Sequence, residues 1–102
     1  MLWRQGDVFI CEINEIPSEA IRQTHLVLAD GEFTGHQHRV EDFRSAVLYE
    51  GQNELFLDVL AERTDVVHQE HGTVSLCRGK YRVWRQREYD PLQRRQFVDV
   101  TD

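Results

Sequence analysis

Apolar residues recur at every second position through most of the chain, the period of a strand with one face against a core. From Asp7 to Ile13, Phe9, Cys11 and Ile13 fall on the same face as Asp7, and Val8, Ile10 and Glu12 take the other. Ile16-Pro17-Ser18-Glu19 interrupts this pattern, leaving room for no more than one helical turn capped by Ser18. A second apolar run, His25 to Ala29, ends at Asp30-Gly31, a pair suited to a turn with positive φ. Ala46 to Tyr49 runs into Glu50-Gly51-Gln52-Asn53, and Leu55, Leu57 and Val59 alternate beyond it, which predicts two strands across a tight turn. The longest alternation spans Gly72 to Tyr89 with a break at Arg78-Gly79, and a last strand is predicted from Gln96 to Val100 after Asp90-Pro91. Val40 to Ala46 and Glu54 to Arg63 admit a helical alternative; in the second, Phe56, Leu57 and Leu60 also fit one face of a helix. The expectation is a mainly β chain, a small barrel or sandwich with at most one or two short helices, because closure is the economical way for short strands to remove their edges.

Length and charge narrow the function classes. A chain of 102 residues supports one core, expected as a single barrel-like domain over residues 1–102. It is too short for a (β/α)₈ barrel, which needs about 250 residues. The net charge of −6 sets the overall field against nucleic acid and anionic membranes. No leader-like apolar run opens the chain and no window approaches about 20 apolar residues, so a cytoplasmic address is the default expectation. Cys11 and Cys77 lack the C-x₂-C spacing of a zinc knuckle and read as two small buried hydrophobes.

The histidines carry the chemistry. Four of the five fall in two groups, Gly35-His36-Gln37-His38 and His68-Gln69-Glu70-His71. On an extended chain His36 and His38 point to one face, which lets two imidazoles meet one metal ion about 2.0–2.1 Å from each. The second group has two readings. As a strand, Val66 to His71 puts His68 and Glu70 on a shared face with His71 turned away, and His68, Glu70 or both then complete the two-histidine site. With a turn at His71-Gly72, His68 and His71 converge, and Glu70 is left to orient a ligand or act as general base. The favoured ligands are His36, His38 and His68, with His71 as the fourth and Glu70 as acid/base. Glu41 and Asp42 read mainly as solvated carboxylates, with Glu41 a substitute ligand. The competing reading is a metal-free network of hydrogen-bonded histidines. No H-E-x-x-H, P-C-x-x-C, Gly-x-Ser-x-Gly or phosphate loop occurs, so zincin, deaminase and covalent chemistries lack their residues.

Gly31-Glu32-Phe33-Thr34-Gly35-His36-Gln37-His38, His68-x-Glu70-His71, Leu76-x-x-Gly79-x-Tyr81-x-Val83 and Gln86-Arg87-Glu88-Tyr89 together resemble a small uncharacterised family of bacterial and phage-borne proteins. That resemblance implies a grouping and no activity. More loosely, Gly31-x₄-His36-x-His38 with Glu41 behind it is similar to the first metal motif of cupins, whose two histidines and glutamate bind iron, manganese, nickel or zinc. The interval from His38 to Glu41 is shorter here, and His68 precedes the Leu76-x-x-Gly79 turn.

Charge is unevenly spread. The first 77 residues hold five basic and fourteen acidic side chains, whereas Arg78 to Arg95 hold seven and two. Arginines on a sheet face ordinarily pair with carboxylates of neighbouring strands and cover apolar surface with their stems. Arg85 and Arg87 are the candidates for gripping an anionic group, and Trp84 beside Arg82 for stacking an aromatic one. The expected function is a small β-barrel binding one divalent metal (zinc, iron, nickel or manganese), as a hydrolase or lyase acting on a small polar or anionic substrate, with enzyme status open. The alternative is a non-catalytic interaction or regulatory module, its histidine cluster structural and its basic strand docked on an acidic protein partner. A homo-oligomer is compatible with either, and nucleic acid and membrane are disfavoured as partners.

Overall fold

A computed structural model describes residues 1–31 and 34–86. These form a curled antiparallel sheet, a half-barrel, with no helix among the described residues. Its strands are β1 (Leu2–Gln5), β2 (Val8–Ile13), β3 (Ile21–Arg22), β4 (Val27–Asp30), β5 (Gln37–Val40), β6 (Ala46–Gly51), β7 (Glu54–Val67) and β8 (Val74–Arg85). The expected barrel-like β architecture is what forms. Both helical alternatives give way: Glu54 to Arg63 lies within β7, and residues 41–45 form a tight turn in which Asp42 Oδ1 accepts from the Arg44 amide and the Asp42 carbonyl from the Ser45 amide. The strand expected at Gln96 to Val100, the Asp90-Pro91 turn, Arg87 and most of Gln86-Arg87-Glu88-Tyr89 lie outside the described residues.

The order along the sheet is β1-β2-β8-β7-β5-β4, with β6 also on β7 and β3 on β6. β7 organises this because its 14 residues are long enough to serve two partners on one edge. Its first part pairs with β6 (Leu57 with Leu48), its end pairs with β5 (Val66 with Val40), and β8 runs along the other edge. The core is built from the alternating apolar set: Val8 and Ile10 of β2, Leu48 of β6, Leu57, Val59 and Val66 of β7, and Leu76, Tyr81 and Val83 of β8. Each fully buried Leu, Ile or Val contributes about 1.5–3 kcal/mol relative to exposure. One irregularity makes this possible. On β7 the inward residues are odd-numbered up to Val59 and even-numbered from Thr64, and the ladder to β8 slips between Val59 and Arg63. The extra residues form a bulge at which the Leu60 and Ala61 amides both donate to the Ser45 carbonyl, so the strand bends without losing its core face.

Two tight hairpins fix the ends. Gly6-Asp7 joins β1 to β2 with Gln5 opposite Val8; Gly6 has φ of +59°, the left-handed value a two-residue turn with glycine first requires. Gln52 and Asn53, at φ of +53° and +65°, make the β6–β7 turn. The two cysteines are free thiols, and Cys77 is exposed on the outer face, because the same slip that turns Leu76 inward turns its neighbour out.

Candidate metal centre

Three segments meet at one end of the half-barrel: the Gly6-Asp7 turn, residues 34–36 ahead of β5, and residues 68–73 between β7 and β8. The second histidine group therefore adopts the turn rather than the strand alternative, with β7 ending at Val67. The rings of His68 and His71 come within 4.6 Å of each other, centre to centre. From the first group, His38 lies 4.2 Å from His68 and 5.9 Å from His71, and His36 lies 5.7 Å from His68. All four predicted ligands thus gather in one cluster.

Their hydrogen bonds decide which nitrogens carry lone pairs. Gln5, buried on β1, donates from Nε2 to the Val66 and Gly72 carbonyls, each at 2.9 Å, so its Oε1 must be the acceptor for His38 Nδ1 at 2.8 Å. That bond places the proton of neutral His38 on Nδ1 and leaves Nε2 bare. Glu70 does the same for His36, whose Nδ1 donates to Oε1 at 2.7 Å. A carboxylate on the far nitrogen orients an imidazole for a metal and raises its basicity. His68 is different. Its Nδ1 accepts the Glu70 amide at 3.0 Å, so its neutral form holds the proton on Nε2. As the side chains stand, no three His, Cys, Asp or Glu among the described residues form a group that could hold a metal ion, and at His68 proton placement itself opposes ligation.

Electrostatics favour bare imidazoles. Burial, followed by the neighbouring His68, pushes the His38 pKa down to about 4 against the opposing pull of Asp7. Burial and the adjacent His71 and His36 lower that of His68 as well.

The remaining candidates divide. Arg85, at the rim end of β8, spends its guanidinium internally: Nε and Nη2 donate to Asp7 Oδ2 at 3.3 and 3.0 Å, and Nη1 to the Asp30 carbonyl at 3.2 Å. Arg82 pairs with Glu54 at 2.8 Å and lies 4.6 Å over the Trp84 ring. Glu41 lines an open cleft of about 250 Å³ beside His68, together with Arg39 and Gln69. Gln5 and Asp7 were not among the sequence candidates. A signal existed for Gln5: a two-residue Gly6-Asp7 turn puts it opposite Val8, on the face that alternation buries.

A curled β half-barrel with a histidine cluster at one end describes the class of molecule. Within it, the chain belongs to DUF8820, a domain of unknown function, whose model matches residues 4–86. No curated protein and no solved structure matches the chain.

Proposed function

We propose that this domain binds one divalent metal ion through His36, His38, His68 and His71, and that Glu70 serves the site as orienter and proton acceptor. The observation that carries the reading is the convergence of four imidazoles with the bare Nε2 of His36 and His38. Rings on one tetrahedral ion, bonded at 2.0–2.1 Å, have centres about 5 Å apart, and the pairs His38–His68, His68–His71, His36–His68 and His38–His71 lie 4.2 to 5.9 Å apart. Metal entry at His68 requires release of the Glu70 amide, a local movement of the 68–72 turn. The likeness to the cupin metal motif adds only the His36-x-His38 spacing.

With three of the imidazoles as ligands and the fourth position open to water, a bound divalent ion would supply a Lewis acid and lower the pKa of that water toward about 7, which suits hydrolysis or elimination on a small polar or anionic substrate; four bound imidazoles would make the ion structural. Zinc, iron, nickel and manganese all accept such a ligand set. The test is elemental analysis of the purified protein after metal-supplemented expression, beside a His36→Ala/His38→Ala variant. Stoichiometric metal lost in the variant supports the proposal; no metal in the wild type sinks it.

A second reading has its own support. His36 bonds Glu70, His38 bonds Gln5 and His68 accepts the Glu70 amide, so the cluster is also equipped to be a structural histidine network in an interaction module. A thermal melt insensitive to both metal and chelator points to that alternative.

A further inference from the structure

The outer face of β5 and β7 carries an open cleft of about 250 Å³ beside the histidine cluster. Alternation along β5 turns His38 and Val40 inward and Arg39 outward between Gln37 and Glu41. On the neighbouring strand Val67 stands opposite Arg39, and the pairing runs on at both ends, where the Gln37 amide meets Gln69 and the Glu41 amide meets the Asp65 carbonyl. His68 lines the cleft while its ring lies 4.2 Å from that of His38, so cleft and cluster share a wall.

The cleft is polarised along β5. At the end nearer the cluster, Gln69 Oε1 accepts the Gln37 amide at 3.0 Å, which leaves Nε2 of the same side chain as a donor. Arg39 stands next to it. The guanidinium groups of Arg82 and Arg85 are taken up by Glu54 and Asp7, whereas that of Arg39 has no hydrogen-bond or ion-pair partner among the described residues. Such a fork matches a carboxylate through two parallel bonds. The far end is acidic. There the Asp65 carboxylate is occupied by the Ser75 hydroxyl at 2.6 Å, and the Glu41 carboxylate has no partner among the described residues. Arg39 and Glu41 are two residues apart on one face, about 7 Å between Cα atoms, and they do not pair with each other.

We propose that this cleft binds a small zwitterion, an α-amino acid, with its carboxylate on Arg39 and Gln69, its ammonium on Glu41 and its aliphatic carbons over Val67. The anion-gripping role expected of Arg85 thereby falls to Arg39. Every contact comes from protein side chains, so binding needs no metal; that the bound amino acid is the substrate of the histidine centre rests on the reading above.

The experiment is titration of the chelator-treated full chain with alanine, propionate and ethylamine, followed by nitrogen–proton NMR at the Arg39 Nε–H and the Gln69 side-chain amide. Alanine carries both charges, and each of the others carries one on the same short frame. Alanine is expected to bind about 10-fold or more tighter than either, the factor that one hydrogen bond to a charged group supplies. Arg39→Met should weaken alanine by about 10- to 100-fold, and Arg39→Lys, which keeps the charge and loses the fork, by less. Glu41→Gln should weaken alanine by about 10-fold and leave propionate unchanged. Both side chains are exposed, so these variants leave the core intact. Propionate that binds as tightly as alanine, or no saturable shift at Arg39 and Gln69 with alanine, overturns the proposal. Metal content is measured separately, so the cleft and the histidine site fail independently.

Discussion

Gln5 is where fold and site are most tightly joined, and its removal is the most informative single change. The side chain is 2% exposed and spans from β1 to the His38 ring, the Val66 carbonyl of β7 and the Gly72 carbonyl beyond it. Gln5→Leu keeps the volume close and removes all three bonds. Each buried donor or acceptor so stranded costs about 1–3 kcal/mol, but the Gly72 carbonyl is partly solvated, and the leucine recovers some apolar burial. The net expectation is a loss of about 2–4 kcal/mol, a large part of the stability of a domain this size. At about 4–8 °C per kcal/mol, this amounts to a fall in Tm of about 10–30 °C. Urea unfolding with linear extrapolation measures it. Nitrogen-detected histidine spectra of the same variant report the tautomer, and His38 should lose its fixed proton on Nδ1. A loss below about 1 kcal/mol with the tautomer unchanged refutes the claim that Gln5 holds this ring. The proposed metal affinity should fall with the tautomer, by about 10- to 100-fold.

Gly6→Ala forces a methyl group within 2.6 Å of His71 Nε2 at a backbone φ of +59°, whereas Gly35→Ala meets only the φ penalty, its surroundings being open. The second should cost about 1–2 kcal/mol and the first clearly more, both by chemical denaturation; equal losses contradict the close packing of the turn on the cluster. In chelator-treated protein, neutral His38 makes stability pH-dependent. Its pKa is about 4 folded and 6.5 unfolded, so the unfolded chain takes up the proton first. Stability should be full above about pH 6.5 and fall by up to about 3 kcal/mol toward pH 4, a slope that His38→Gln removes. Glu54→Gln, which breaks the partly exposed pair with Arg82, should shift the urea midpoint by less than about 1 kcal/mol. Tyr81→Phe removes the hydroxyl bond to the Cys77 carbonyl, 2.6 Å long, and should cost about 1 kcal/mol by the same measurement.

Much of this architecture is written in local pattern. Period-two alternation marks β2, β6, the first half of β7 and most of β8, and the tight turn between β6 and β7 is announced by Gly51-Gln52-Asn53. Grouping of histidines on either side of short glycine-bearing turns was equally visible, as was the choice His68 and His71 would face between a strand and a turn. Alternation also admitted a helix over Glu54 to Arg63, and only the pairing of β7 with β6 and β8 decides for a strand, since the hydrogen bonds that favour it come from residues distant in the chain.

What tertiary structure alone decides is register and proximity. The bulge after Val59 exchanges odd for even inward positions, which no period can announce because it is imposed by β5 and β6 sharing one edge of β7. That slip brings Val66 inward and sets where β7 ends, and so carries His68 and His71 to the β5 histidines. Gln5 and Asp7 join them from more than 30 residues away because the β1–β2 turn folds over the same end of the half-barrel. Residue chemistry and period-two pattern are properties of neighbours in the chain, and they were legible there. A hydrogen bond that selects a tautomer, or a carboxylate set beside a bare nitrogen, exists only once distant strands have paired.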